Sequence, residues 1–257
     1  MGMGERNGTA PALSRRQQQR RATIDEIKHV ARGLLVDEGV GSVSIRAISR
    51  RMGMTAPAVY RYFTSHEELL RTLRADIFIE VAAYLEASCD TLPEDDAPGR
   101  LIAAARALRR WGLEHKREFG LLLGPSAPGA ISGGESDLEQ DAGWVFGVLF
   151  ADLMAKLWRS RPFPVSPPGS LHPRLADQLD RLRAHRDMDL PVEAIAVMLR
   201  CWVRLYGLVC MEVLGHLDFA LDDGGPFFER ELADTCETLG VGQYYAAPAQ
   251  GAARCGR

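Results

Sequence analysis

The stretch MGMTAPAVYRYF, Met52 to Phe63, decides how the front of this chain is read. It follows Arg46, Arg50 and Arg51, and it carries Pro57 where the surrounding pattern asks for a helix. Inside a helix, proline removes an amide donor and clashes with the preceding turn; in the first turn that donor has no partner anyway, and the fixed φ suits the start. With Thr55 as N-cap, Pro57 falls in the first turn, so the stretch reads as the beginning of a short helix. Gly53, just ahead of it, can take a positive φ and reverse the chain tightly.

Working upstream, Ser44 is a candidate N-cap for a helix that places Ile45, Ile48 and Met52 on one face and the three arginines on the others, ending at Gly53. Before that, Ile24, Ile27, Ala31, Leu34 and Leu35 fall at helical spacing from Thr23 onward, and Gly39 and Gly41 punctuate. Ile48, Met52, Val59 and Phe63 can pack the second and third helices together, leaving the third exposed on its outer side. Such an arrangement has the form of a helix-turn-helix, although helical hairpins with Gly turns also occur in plain bundles.

Working downstream, Ser65 and Glu68 have the S-x-x-E spacing of a capping box and open a helix to about residue 87, with Leu69, Leu70, Leu73, Ile77, Val81 and Leu85 in helical register. A linker, TLPEDDAPGR (91–100), leads into a helix over 101–115. A short helix in EFGLLLG (118–124) and a loop over 124–137 follow, then helices over 138–158, 174–186, 191–214 and 226–239. No alternating strand pattern interrupts the series. The expected fold class is all-α: an N-terminal three-helix helix-turn-helix domain followed by a larger helical bundle. The expected bounds are a disordered basic arm over 1–20, a helix-turn-helix domain over 21–66, a larger helical domain over 67–242 and a disordered tail over 243–257.

Charge supports the division. The formal net charge of -3 conceals thirteen Lys and Arg against seven Asp and Glu between Met1 and Arg74, leaving a basic head on an acidic body. A partner with phosphates suits one end only, though a basic N-terminal tail can also be merely solvating. An apolar share of 46% is enough to fill a core. The five cysteines, Cys89, Cys201, Cys210, Cys236 and Cys255, form neither a CxxC pair nor a Cys/His metal spacing, so neither a metal nor a disulfide framework is expected. The N-terminus lacks the apolar segment of a signal peptide, and no membrane span is read, so a cytoplasmic location is expected. His115, His172, His185 and His216 are scattered, and no nucleophile cluster or Gly-rich phosphate loop accompanies them; no cofactor and no enzymatic activity are expected.

The segment SIRAISRRMGMTAPAVYRYFTSHEELL (44–70) resembles the DNA-binding motif of the TetR family of transcriptional regulators, usually written T-v-r-x-I-A-x-x-A-G-v-s-x-g-x-l-Y-x-y-F-x-s-K-e-x-L. Ser44, Arg46, Ile48, Gly53, Thr55, Val59, Tyr60, Tyr62, Phe63, Ser65, Glu67 and Leu69 fit that pattern. Ser49 and Met52 replace its alanines, and His66 replaces the lysine that touches a phosphate in the family. WVRLYG (202–207) resembles the W-x-x-x-H-G signature of one C-terminal subgroup, with Tyr206 in place of the histidine. The resemblance implies that the last two helices form a dimer interface and that the middle helices enclose a ligand pocket.

Roles on DNA divide by chemistry. Ser44 and Thr55 sit at helix N-termini, where backbone amides can hold phosphates, and the Tyr60 hydroxyl can do the same. Arg46 and Arg61 are candidates for a two-pronged contact to guanine, and Ala56, Pro57 and Ala58 offer apolar surface to a thymine methyl. His66 can still donate to a phosphate. Arg15, Arg16, Arg20 and Arg21 can follow the backbone or enter the minor groove. In the body, Trp111, Phe119, Trp144, Phe150, Met154, Met198, Trp202 and Arg106 are candidates to line an apolar cavity, or else to form core. Leu205, Val209, Val213, Phe228 and Leu232 are the expected dimer contacts. Together these readings give a homodimeric, ligand-responsive regulator, a repressor released from a palindromic operator by a small apolar effector. The alternative is a ligand-independent DNA-binding protein whose body serves dimerisation or a protein partner.

Overall fold

The computed structural model describes residues 14–123 and 138–248, and of residues 138–146 only the backbone. The described residues are helical with no strand. The chain divides into two compact units, Met1–Leu73 and Arg74–Arg257. The loop expected over 124–137, and the final nine residues of the expected tail, lie outside the described residues.

The first unit holds α1 (Arg15–Glu38), α2 (Ile45–Met52), α3 (Ala56–Tyr60) and the start of α4 (His66–Cys89). Residues 1–13 of the expected arm lie outside the described residues, and its end at 15–20 is corrected to helix, because α1 begins eight residues before the expected Thr23. Ser14 caps it: the Ser14 amide donates to Gln17 Oε1 at 2.9 Å, and the Gln17 amide donates to Ser14 Oγ at 3.3 Å. Arginine and glutamine are strong intrinsic helix formers, so the polar run RRQQQRR continues the helix once it is capped. Arg15, Arg16, Arg20 and Arg21 therefore stand on an ordered scaffold.

Ile27, Ala31, Leu34 and Leu35 of α1, Ile45 and Ile48 of α2, Val59 of α3, and Phe63 and Leu69 form the buried side of this unit. Each large side chain here contributes about 1.5–3 kcal/mol by leaving water. Ser49, where the motif has alanine, is also buried, and its hydroxyl donates to the Ile45 carbonyl at 2.7 Å, so no polar group is stranded. Arg51 reaches back from α2 to Asp37 at 3.5 Å and Glu38 at 3.9 Å on α1. These exposed pairs are worth less than about 1 kcal/mol each, so they trim the helix angle while the apolar core holds it.

The second unit contains α5 (Ala97–Glu114), α6 (Lys116–Leu122), α7 (Leu138–Ser160), α8 (Pro173–His185), α9 (Val192–Val213), α10 (Gly225–Thr238) and a 3-10 turn at Gly242–Tyr244. Helix α5 packs on α7 and α9, and α9 packs on α6, α8 and α10. Asp96 caps α5 by accepting from the Gly99 amide at 2.9 Å, with Pro98 in the first turn. Three charged clasps tie the helices: Arg109 of α5 to Glu212 of α9 (2.8 and 2.6 Å), Arg106 of α5 to Glu229 of α10 (2.9 and 2.7 Å), and Arg204 of α9 to Glu231 and, at 3.0 Å, Asp234 of α10. By length and composition α9 is apolar enough to cross a membrane. It nonetheless carries Arg204 and Glu212, both engaged in these clasps.

The tail bound also shifts. Gly242–Tyr244 forms the 3-10 turn, the Tyr245 hydroxyl donates to Glu229 at 3.0 Å, and Arg106 donates to the Ala246 carbonyl at 2.7 Å. Residues 243–246 are thus bound to the body by contacts that only the tertiary fold supplies.

Candidate functional site

In the first unit, Ser44 caps α2 by accepting from the Ala47 amide at 3.2 Å, and Gly53 closes α2 in the left-handed region at φ 65. Thr55 occupies the N-cap of α3, with Pro57 in its first turn. The Thr55 hydroxyl makes no capping bond and is exposed, which leaves it available to an outside acceptor. Arg46, Pro57, Tyr60 and Arg61 are exposed, and Ala56 and Ala58 are half-buried, while Val59 points inward at 0% exposure. The short helix therefore turns a mixed face of methyls, one phenol and one guanidinium to solvent, the chemistry that a major groove can accept.

Two side chains expected at DNA take other partners. The Nε2 of His66 donates to the Val43 carbonyl at 2.6 Å, pinning the start of α4 to the segment ahead of α2. That bond occupies Nε2 of the ring that stands where the motif has lysine. Arg20 donates to the Arg61 carbonyl at 3.2 Å and lies 5.2 Å from the centre of the Tyr62 ring. The S-x-x-E box is half realised: the Glu68 amide donates to Ser65 Oγ at 3.0 Å, but the Glu68 carboxylate accepts from the Thr64 hydroxyl at 2.6 Å and from the Thr64 amide. The Thr64 hydroxyl is the main cause that holds the Glu68 carboxyl below its usual range.

In the second unit, a cavity of about 290 Å³ lies between α5, α7, α9 and α10. Phe150, Met154, Met198 and Trp202 line it, as the sequence reading expects. Trp202 stacks on Tyr206 at 4.8 Å, and Phe150 meets the Trp202 ring edge-on at 5.3 Å, so three aromatic side chains share one wall. None of the described lining residues is charged. Burial pushes the Cys201 thiol up and the Cys236 thiol up to about 11, and it raises Tyr206 as well, so these lining groups are neutral near pH 7. The Thr235 hydroxyl, also at the cavity, donates to the Glu231 carbonyl at 2.7 Å.

Three ligand candidates sit elsewhere. Trp111 and Phe119 are each 1% exposed in the packing of α5 and α6, 6.3 Å apart, and do not line the cavity. Arg106 is held by Glu229, whose hydrogen bond also raises the guanidinium pKa. The side chain of Trp144 lies outside the described residues.

The phase of α9 and α10 turns most of the expected dimer contacts inward. Val209, Val213, Phe228 and Leu232 are 5% exposed or less within one protomer, and Leu205, Val209, Phe228 and Leu232 line the cavity. The outward apolar side chains are instead Leu199, Val203, Met211 and Leu214 of α9, Phe227 of α10, and Phe219 between them, the last 88% exposed. Helix α9 carries apolar side chains on its inward and its outward side, so the sequence offers more than one apolar stripe as the contact face.

A helix-turn-helix unit followed by a larger all-helical unit is the architecture of a DNA-binding transcriptional regulator. Residues 27–73 match the bacterial regulatory protein family tetR, and residues 101–235, more than half of the chain, match the tetracyclin repressor-like C-terminal domain. The chain belongs to the TetR family. It is 34% identical over 117 residues to the HTH-type transcriptional regulators Rv1816 of Mycobacterium tuberculosis and Mb1846 of Mycobacterium bovis, a match that covers 46% of this chain. The chain spans about half the length of these curated relatives. The crystal structure of the regulatory protein SCO4313 superposes with a TM-score of 0.64 at 26% identity, covering 87% of this chain and all of that one. RolR in complex with resorcinol superposes with a TM-score of 0.52 at 18% identity, covering 90% of this chain and 98% of that one, which is a likeness of fold.

Proposed function

We propose that this protein is a ligand-responsive, DNA-binding transcriptional regulator of the cytoplasm, a homodimer that represses from a palindromic operator and is released by a small uncharged effector. The observation that carries DNA binding is the exposed outer face of α3, where Pro57, Tyr60 and Arg61 project from a helix anchored by buried Val59. Tyr60 and the amides at the starts of α2 and α3 grip phosphates and set the register, and Arg61 and Arg46 read base edges. The outward apolar stripe of α9 with Phe219 and Phe227 supports a second copy as its cover, because a patch of that kind is otherwise costly in water. Two copies place two recognition helices on half-sites one helical turn apart.

The cavity supports an uncharged effector. Arg106, Arg109 and Arg204 each have a carboxylate partner in the clasps between helices, so a charged ligand would enter an apolar space without a counter-ion. Binding there shifts the population of the dimer between arrangements that fit and do not fit the paired half-sites. Anisotropy titration of a labelled operator duplex tests the DNA assignment. Tyr60→Phe weakens binding to every sequence, and Arg61→Ala also flattens the preference among base substitutions; unchanged binding in both variants refutes it.

A further inference from the structure

All but two of the described residues lining the cavity belong to α5, α7, α9 and α10; the exceptions, Leu239 and Val241, come after α10. Gly240, at φ 65, turns the chain there, and the Val241 amide donates to the Cys236 carbonyl at 2.9 Å. Val241 is 1% exposed. The residues beyond it are fastened from three sides. Arg161, just past α7, donates to the Tyr244 hydroxyl at 3.3 Å and lies 5.5 Å from its ring centre. Tyr245 donates to Glu229 of α10, while Arg106 of α5 lies 5.5 Å from the Tyr245 ring and holds the Ala246 carbonyl.

We propose that residues 239–246 form a strap that closes the cavity, with Val241 the residue that limits the size of the ligand and the Arg106–Glu229–Tyr245 clasp the fastening that governs its exchange. This rests on the cavity being the effector site. The helical walls are fixed by continuous backbone ladders and by one another, whereas residues 242–246 are joined to the helices by the side-chain contacts of Arg161, Glu229 and Arg106, which can open singly. Opening it uncovers the side of the cavity that Val241 fills. A branched side chain at that point stands where a longer ligand would extend.

The test uses the full-length protein and two uncharged fluorescent probes of different size, 2-naphthol and 1-pyrenemethanol, titrated at pH 7 and followed by stopped-flow for release. Val241→Ala raises the affinity ratio of the larger probe to the smaller by about tenfold, and Val241→Leu lowers it. Tyr245→Phe leaves the ratio as in the wild type and speeds release by about threefold to tenfold. Circular dichroism confirms that each variant is folded. An unchanged ratio in both Val241 variants, with an unchanged release rate in Tyr245→Phe, overturns the strap while leaving the cavity reading intact. If the wild type takes up neither probe, the cavity reading falls and the strap with it.

Discussion

The guanidinium of Arg20 lies 5.2 Å from the centre of the Tyr62 ring and donates at 3.2 Å to the carbonyl of Arg61, the residue that caps the end of α3. One arginine of α1 thereby holds the C-terminal end of α3. An exposed cation–π contact is worth about 0.5–1 kcal/mol, so Arg20→Ala is expected to weaken operator binding about twofold to fivefold. The salt dependence separates positioning from phosphate contact. The slope of log K against log salt stays as in the wild type, where loss of a phosphate contact would reduce it by about 0.9.

Gly53 closes α2 in a left-handed conformation, and a Cβ added there would meet open space. Its requirement is thus conformational, with no packing component. Gly53→Ala is expected to destabilise the first unit by about 1–2 kcal/mol, read as a lower urea midpoint with unchanged slope. Gly53→Asn, which tolerates this region better, falls between the two.

Glu68 links stability to pH. Its folded carboxyl titrates below the unfolded value, chiefly because the Thr64 hydroxyl donates to the ionised form. The stabilisation is therefore complete above the unfolded carboxyl pKa and is lost as pH falls through the lowered folded value. Thermal melts from neutral to acidic pH should show a shallower acid decline in Glu68→Gln than in the wild type. Thr64→Val should have the same effect, since it removes the hydroxyl donor.

Cys201 and Cys236 line the cavity with thiols that burial holds protonated. The thiolate is the reactive form, so iodoacetamide at pH 7 should modify both more slowly than a free thiol. Mass spectrometry of the labelled peptides measures this. A bound uncharged aromatic should slow the reaction further.

The helix-turn-helix was legible because it rests on local chemistry: a cap at Ser44, a left-handed glycine at Gly53, a proline in the first turn of α3 and apolar residues at helical spacing. The start of α1 was also written locally, as Ser14 and Gln17, but its polar composition masked it. His66 carried no signal of its bond to Val43, twenty-three residues away. Four cavity residues were readable as aromatic or Met positions on the helices. The inward phase of α9 was not, since Val203 and Val209 are equally apolar in sequence and only packing makes one exposed and the other buried. The docking of Tyr245 on Glu229 joins residues that no short-range pattern connects.

Footprinting of the purified protein on the DNA beside its own gene tests the central claim most directly. The account predicts two protected half-sites related by two-fold symmetry, about one helical turn apart from centre to centre, and loss of both with Tyr60→Phe at the same protein concentration. Absence of a discrete footprint, or a footprint that the α3 variant leaves unchanged, would contradict it.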